Sequence, residues 1–227
     1  IDGFTRTLDV ADAPALEAFA TEVERRLGRV DIVINNAGVA LVGGVEAVAL
    51  DDARWLMGIN FWGVVHGCRA FAPALRRSGG GTIVNISSIF AMVSMPSQSF
   101  YNAAKAAVRA FSDAFREEVR DDRIRVLCVH PGGVATRIAE DARVRDLRFI
   151  GGDARSMRDD FRRHPRLSPE AAAARILRAI DQGRTRSLVG LDARILDAAY
   201  RLFPARSSRW LSALARQRRR AERGETR

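Results

Sequence analysis

The chain has 227 residues, 47% of them apolar and 28% charged, a size and balance that suit one soluble α/β domain better than two. No run of 18 or more apolar residues occurs, so no membrane-spanning helix is expected, and no signal peptide is visible from Ile1 onward. The two cysteines, Cys68 and Cys128, lie inside apolar runs and match no metal or redox spacing; they read as buried free thiols in a reducing, cytoplasmic compartment.

The elements alternate between strand and helix, which predicts a parallel sheet covered on both faces. Thr5 to Val10 reads as a strand, followed by a helix that Asp12 and Pro14 open. Val30 to Asn35 is a short buried strand, and Asp51 to Leu75 is helical. Gly79-Gly80-Gly81 turns the chain into strand Thr82 to Ile86, and Gln98 to Arg120 is a long helix. Ile124 to His130 is the next strand, ended by Pro131-Gly132-Gly133. Ser168-Pro169-Glu170 is a helix start, with a capping hydroxyl, a proline in the first turn and an acid near the positive end. That helix runs to Gln182, Arg186 to Gly190 is a last short strand, and helical segments follow to about Arg220.

Two stretches stand outside this alternation. Residues 137–167 are charged, with scattered glycines, and read as a lid or binding loop, a plain insertion being the other reading. The net charge of +10 gathers toward the C-terminus, where Pro204 to Arg227 hold eight Arg and two Glu. Trp210, Leu211 and Leu214 on one side, with Arg216, Arg218, Arg219 and Arg220 following, give residues 205–223 the pattern of a peripheral membrane contact, a solvated end being the plainer reading. No aromatic-interleaved basic groove appears elsewhere, which argues against nucleic acid as a partner. Residues 1–203 are thus expected to form one domain and 204–227 a basic helical tail.

The basic residues carry a further signal. Of the 37, all but Lys105 are arginine. Arg is a wide planar fork and Lys a compact point charge on a thin stem, so a lone Lys marks a position where only an ammonium fits. Tyr101 lies four residues earlier, on the same helical face. A phenol near pKa 10 is a poor base at neutral pH, and a nearby ammonium lowers that value. Such a Tyr can pass a proton to or from a substrate oxygen. Ser87 and Ser88 end the strand Thr82 to Ile86, and ligands gather at the carboxyl ends of parallel strands. Either hydroxyl could hold the reacting oxygen. Phe90, Met92, Val93 and Met95 follow and read equally as an apolar substrate pocket or as sheet-edge packing.

Asn35-Asn36-Ala37-Gly38, Asn60, Ile86-Ser87-Ser88, Tyr101-x-x-x-Lys105 and Pro131-Gly132 stand in the order and spacing of the short-chain dehydrogenase/reductase family, and from Asp9 to about Gly190 the chain resembles it. The resemblance implies a Rossmann-type doubly wound parallel sheet and an NAD- or NADP-dependent interconversion of a hydrophobic alcohol with a ketone or aldehyde. The family's thirteen-residue spacing to the Tyr points to Ser88 rather than Ser87. The implied tetrad is Asn60, Ser88, Tyr101 and Lys105. In it Tyr101 is the acid/base and Ser88 steadies the substrate oxygen. Lys105 binds the nicotinamide ribose and lowers the Tyr101 pKa, and Asn60 helps hold a water that links Lys105 to solvent. By the same resemblance Asp9 and Val10 meet the adenine ring, and Asn36, Ala37 and Gly38 pass the adenosine ribose. Pro131, Gly132, Val134 and Thr136 lie beside the nicotinamide. No metal is implied. A homodimer or homotetramer is implied, paired through the helix that carries Tyr101. A non-catalytic nucleotide-binding or scaffold protein of the same fold is the alternative.

One part of the family pattern is not found. Its opening strand, Gly-rich turn and helix, which hold the pyrophosphate, do not appear before Asp9. The expectation is a sheet lacking its first strand-helix-strand unit, weak dinucleotide binding by this chain alone, and a cofactor preference that cannot be read.

Overall fold

Where the sequence lays down short apolar runs rich in Val and Ile, the computed structural model forms parallel strands, and it describes residues 3–148, 167–210 and 213. The main sheet has four parallel strands in the order β1 (Ile32–Asn35), β3 (Gly81–Ile86), β4 (Ile124–Pro131), β6 (Arg186–Val189). The short β2 (Leu41–Val42) and β5 (Arg143–Val144) pair parallel in a second, two-stranded sheet. The helices are α1 (Ala13–Leu27), α2 (Leu50–Met57), α3 (Gly63–Arg77), α4 (Ser99–Glu118), α5 (Pro169–Asp181) and α6 (Leu191–Leu202).

Side chains of a strand alternate between its two faces, and neighbours on β3 and β4 enter different cores. Ile83 and Val126 pack with Val64, Cys68, Phe71 and Leu75 of α3 and Val108 of α4. Val84, Leu127 and Val129 pack with Ala172, Ala179 and Ile180 of α5 and Val189 of β6. Burial on both faces is what makes these strands continuously apolar. The same burial raises the thiols, Cys68 to about 12 and Cys128 to about 11, as expected of inert core cysteines.

A polar seam crosses the first of these cores. The Asn35 amide donates to Asn85 Oδ1 at 2.8 Å, Asn85 donates to Ser112 Oγ at 3.0 Å, and Ser112 donates to the Val108 carbonyl at 2.7 Å. It ties β1 to β3 and β3 to α4, the helix that carries Tyr101.

The strand and helix assignments from Val30 to about residue 202 agree with the structure to within a few residues, and the Ser168 hydroxyl caps α5 through the Ala171 N–H, but β1, expected to be buried, is an edge strand with Ile32 and Ile34 exposed. Two further expectations fail. Thr5 to Val10 is not a strand: among the described residues no strand pairs with the outer edge of β1. The segment instead packs Leu8 and Val10 against the α1–α3 core, and Arg6 pairs with Glu22. The helix expected over 51–75 is broken by a π-turn at Gly58–Trp62. A wider turn of this kind inserts one residue into the ladder, and it carries Asn60 into full burial.

Most of residues 137–167, and the tail beyond 210 apart from residue 213, lie outside the described residues. Among the described residues no helix is long and apolar enough to cross a membrane. Asn85→Ala would take from the Asn35 amide its acceptor and from the Ser112 hydroxyl one of its two hydrogen bonds, so a loss of about 3 kcal/mol is expected. Denaturant unfolding of the variant against the wild type measures it.

Candidate active site

Parallel strands in register bring their carboxyl ends to one edge of the sheet. Asn35 is level with Asn85 on β3, Ile86 with Val129 on β4, and Pro131 with Val189 on β6. The segments that follow, Asn36 to Gly38, Ser87 to Ser88 and Pro131 to Thr136, therefore emerge side by side.

Helix α4 is fastened to this edge at its Lys105 turn. The Lys105 ammonium donates to the Ile86 carbonyl at 2.9 Å, and Ser87 Oγ donates to the Lys105 carbonyl at 2.8 Å. Lys105 is only 3% exposed, and burial lowers its pKa to about 8. One turn back, the Tyr101 phenol comes near the Ser88 side chain, which favours its charged form. Lys105 Nζ lies 5.8 Å from the Tyr101 ring centroid, and the Phe90 ring meets the Tyr101 ring edge-on at 6.4 Å. Ser88 Oγ also accepts from the Phe90 N–H at 3.1 Å. The two serines thus divide the work: Ser87 anchors the helix, and Ser88 faces the phenol.

The expectation that Lys105 lowers the Tyr101 pKa needs correction. Burial pushes the phenol above its ordinary value, against a smaller lowering by the Ser88 side chain. Desolvation penalises the charged form of both groups, so it raises the Tyr and lowers the Lys.

Asn60 is fully buried, and its amide grips one residue twice: Oδ1 accepts from the Val39 N–H at 2.8 Å, and Nδ2 donates to the Val39 carbonyl at 2.9 Å. The side chain thereby fixes the segment between Gly38 and β2. A Cβ built at Gly38 would stand 3.4 Å from Asn60 Oδ1 and 3.5 Å from Lys105 Nζ, so Gly38, Asn60 and Lys105 meet at one point.

The remaining expected positions divide in two. Val10, Asn36 and Ala37 line one groove of about 500 Å³ along the outer edge of β1. Asp9 Oδ1 caps the Ala11 N–H at 2.9 Å, a turn role. Pro131 and Gly132 leave β4 beside Val189, and Val134 bridges to Leu167. Thr136 opens a short 3₁₀ turn. Of the apolar run after Ser88, Met92 and Val93 are packed with Ile89 and Ala193, as the sheet-edge reading has it. Phe90 and Met95 line a cavity of about 650 Å³ with Asn102 and Ala106, which neither Ser88 nor Tyr101 reaches.

Three features had no reading in the sequence. His130 is fully buried, with Nδ1 3.3 Å from the Ser88 carbonyl. A carbonyl only accepts, so Nδ1 carries the proton there, and burial holds the imidazole near pKa 4. His130 therefore steadies the backbone of Ser88 as a neutral donor. Asp52, on α2, takes Arg143 at 2.9 Å and Arg145 at 2.6 Å, and the Arg143 guanidinium stacks on Trp55 at 3.5 Å. This clamp fixes β5 against α2 at the root of the expected lid. Asp192 accepts from the Gly133 N–H. Only His130, one of three histidines and set directly before Pro131, carried a sequence signal of any kind.

The short chain dehydrogenase pattern matches residues 2–146 of the chain. SadH of Mycobacterium tuberculosis, named as an oxidoreductase, is 42% identical over 209 residues, which are 91% of this chain and 74% of that protein. A short-chain dehydrogenase from Streptomyces avermitilis has a similar solved structure, with TM-score 0.76 and 30% identity over 92% of this chain and 78% of its own. Two further structures contain nucleotides. The enzyme from Burkholderia cenocepacia, in complex with NADP, has TM-score 0.70 and 26% identity over 87% of this chain and 73% of its own. The one from Burkholderia phymatum, in complex with NAD, has TM-score 0.71 and 29% identity over 86% and 74%.

Because Asn60 holds both polar groups of Val39, Asn60→Ala should cost about 2–4 kcal/mol. It should also speed amide exchange at Val39 ahead of the core strands, as hydrogen exchange read by NMR would show.

Proposed function

The chain belongs to the short-chain dehydrogenase/reductase family, and from that premise we propose that it interconverts an alcohol and a ketone or aldehyde with NAD or NADP, Tyr101 serving as acid/base. The observation that carries the proposal is the buried Lys105 ammonium, bonded to the Ile86 carbonyl and 5.8 Å from the Tyr101 ring, beside Ser88 at the carboxyl edge of a parallel sheet.

The residues present fit a nicotinamide nucleotide. Gly38 leaves open the point where Asn60 and Lys105 converge, and the absence of a side chain there allows close approach by a ligand. In this reading Asp9 and Val10 meet the adenine, and Asn36, Ala37 and Gly38 pass its ribose. Lys105 and Tyr101 hold the nicotinamide ribose, and Pro131, Gly132, Val134 and Thr136 flank the nicotinamide. The cofactor, when bound, gives a hydride to the carbonyl carbon or takes one from the carbinol carbon.

The protein's own part is to place and move one proton. Ser88 Oγ holds the substrate oxygen beside the phenol. A Tyr101 raised by burial is protonated at neutral pH, so in the reducing direction its Oη–H donates to the carbonyl oxygen as the hydride arrives. The phenolate left behind is disfavoured by its burial, so a proton returns to it readily from the Lys105 side, where Asn60 helps hold the connecting water. In the oxidising direction the phenolate takes the proton of the alcohol. The cell's cofactor ratio sets the direction. Phe90 beside Tyr101 favours a hydrophobic substrate. Pairing of copies through α4 is part of the same proposal.

Tyr101→Phe removes the proton donor and is expected to lower turnover of ketone or aldehyde by about 10²- to 10⁴-fold. Ser88→Ala should fall in the lower part of that range. NAD(P)H oxidation followed across a panel of hydrophobic carbonyl compounds reads both variants; turnover in Tyr101→Phe equal to the wild type removes the assignment.

A further inference from the structure

The end of β4 is held by a carboxylate from the far side of the chain. β4 and β6 run parallel and finish level at Pro131 and Val189, and the Gly132 N–H donates to the Val189 carbonyl at 2.9 Å as a last rung. The two chains then part: Gly190, at φ +117°, turns into α6, and Gly133 leads toward Val134 and Thr136. Asp192, in the first turn of α6, fills the fork. Its Oδ2 accepts from the Gly133 N–H at 2.6 Å, a charge-assisted hydrogen bond. A Cβ built at Gly132 would collide with both carboxylate oxygens, and one at Gly190 with Oδ1. Two glycines thus make room for one carboxylate, and a third gives it its N–H.

We infer that Asp192 is a positioning residue for the nicotinamide half of the cofactor site, acting through the Gly132–Gly133 turn. The inference rests on the nucleotide reading above. On its other side the same turn is fastened to Leu167, whose N–H donates to the Gly133 carbonyl at 3.1 Å and whose carbonyl accepts from Ala135 at 2.9 Å. The segment from Pro131 to Thr136 is therefore held from β6, from α6 and from the start of α5, with main-chain atoms as its own contribution throughout. Loss of the Asp192 carboxylate leaves the Gly133 N–H without its acceptor and the α6 side of the turn unheld, while the bonds to Val189 and Leu167 remain. The adenosine half of the site, built on Val10, Asn36 and Ala37 along the β1 edge, shares no residue with the turn. An acid serving only the dipole of α6 would stabilise the fold without distinguishing the two halves of a bound nucleotide.

The experiment compares two ligands on one protein. NADH or NADPH binding is measured by fluorescence titration, and binding of ADP-ribose or its 2′-phosphate, which lack the nicotinamide, by calorimetry. Asp192→Ala is expected to weaken the dinucleotide by about tenfold or more while ADP-ribose stays within about twofold. Asp192→Asn keeps an acceptor of the same shape and is expected to recover most of the difference; it also serves should the Ala variant fail to fold. Equal weakening of both ligands, or of neither, overturns the inference. A wild-type protein that binds neither ligand overturns the nucleotide reading itself, and this inference with it.

Discussion

A buried ammonium with one carbonyl to answer it sets the geometry of the site. Lys105 is the only lysine of the chain and is nearly inaccessible, and its Nζ donates to Ile86, the last residue of β3. That bond fixes the turn of α4 that carries Lys105 against the strand end, and the Ser87 hydroxyl, donating to the Lys105 carbonyl, pins the same turn from the other direction. Tyr101, one turn earlier, then has little choice of position: its phenol comes to Ser88, the residue next to Ser87. An arginine could not take this place, since its fork is broader and resists losing its charge.

The fold serves that contact in layers. Strands buried on both faces give a stiff parallel sheet whose carboxyl ends lie level. The Asn35–Asn85–Ser112 seam fastens α4 to β3 below the Lys105 turn. The π-turn brings Asn60 to Val39, so the Gly38 backbone is held open beside the ammonium. His130, neutral because it is buried, holds the Ser88 carbonyl from behind. The amides of Asn35, Asn85 and Asn60 and the Nδ1 of His130 are taken out of water and given a partner, the condition on which buried polar side chains are tolerated; the His130 Nε2 has none among the described residues.

Much of this was legible because it is local. Strands announce themselves as short apolar runs between turns, the Ser168 cap sits directly before its helix, and Tyr101 and Lys105 share a helical face by spacing alone. What was not legible depends on distance in the chain. Thr5 to Val10 has the residues of a strand, yet a strand also needs a partner edge, which sequence does not display. The break at Gly58 has no proline to mark it; it arises where α2, α3 and Val39 meet. The rise of the Tyr101 pKa follows from burial by elements far apart in sequence, so spacing pointed the wrong way. Asp192 stands 59 residues from the Gly133 it holds. Ser87 and Ser88, equal in sequence, separate only when their partners are seen.

The central claim is that Lys105 carries its charge in a desolvated place. With a single lysine, protein grown on ε-¹³C-lysine has one side-chain signal to follow, and its titration by NMR without nucleotide needs no assignment. Desolvation disfavours the ammonium, so the signal should titrate near 8, well below the ordinary 10.5 of a lysine. A midpoint at the ordinary value would place Lys105 in water, away from the Ile86 carbonyl, and the account of the site would be wrong.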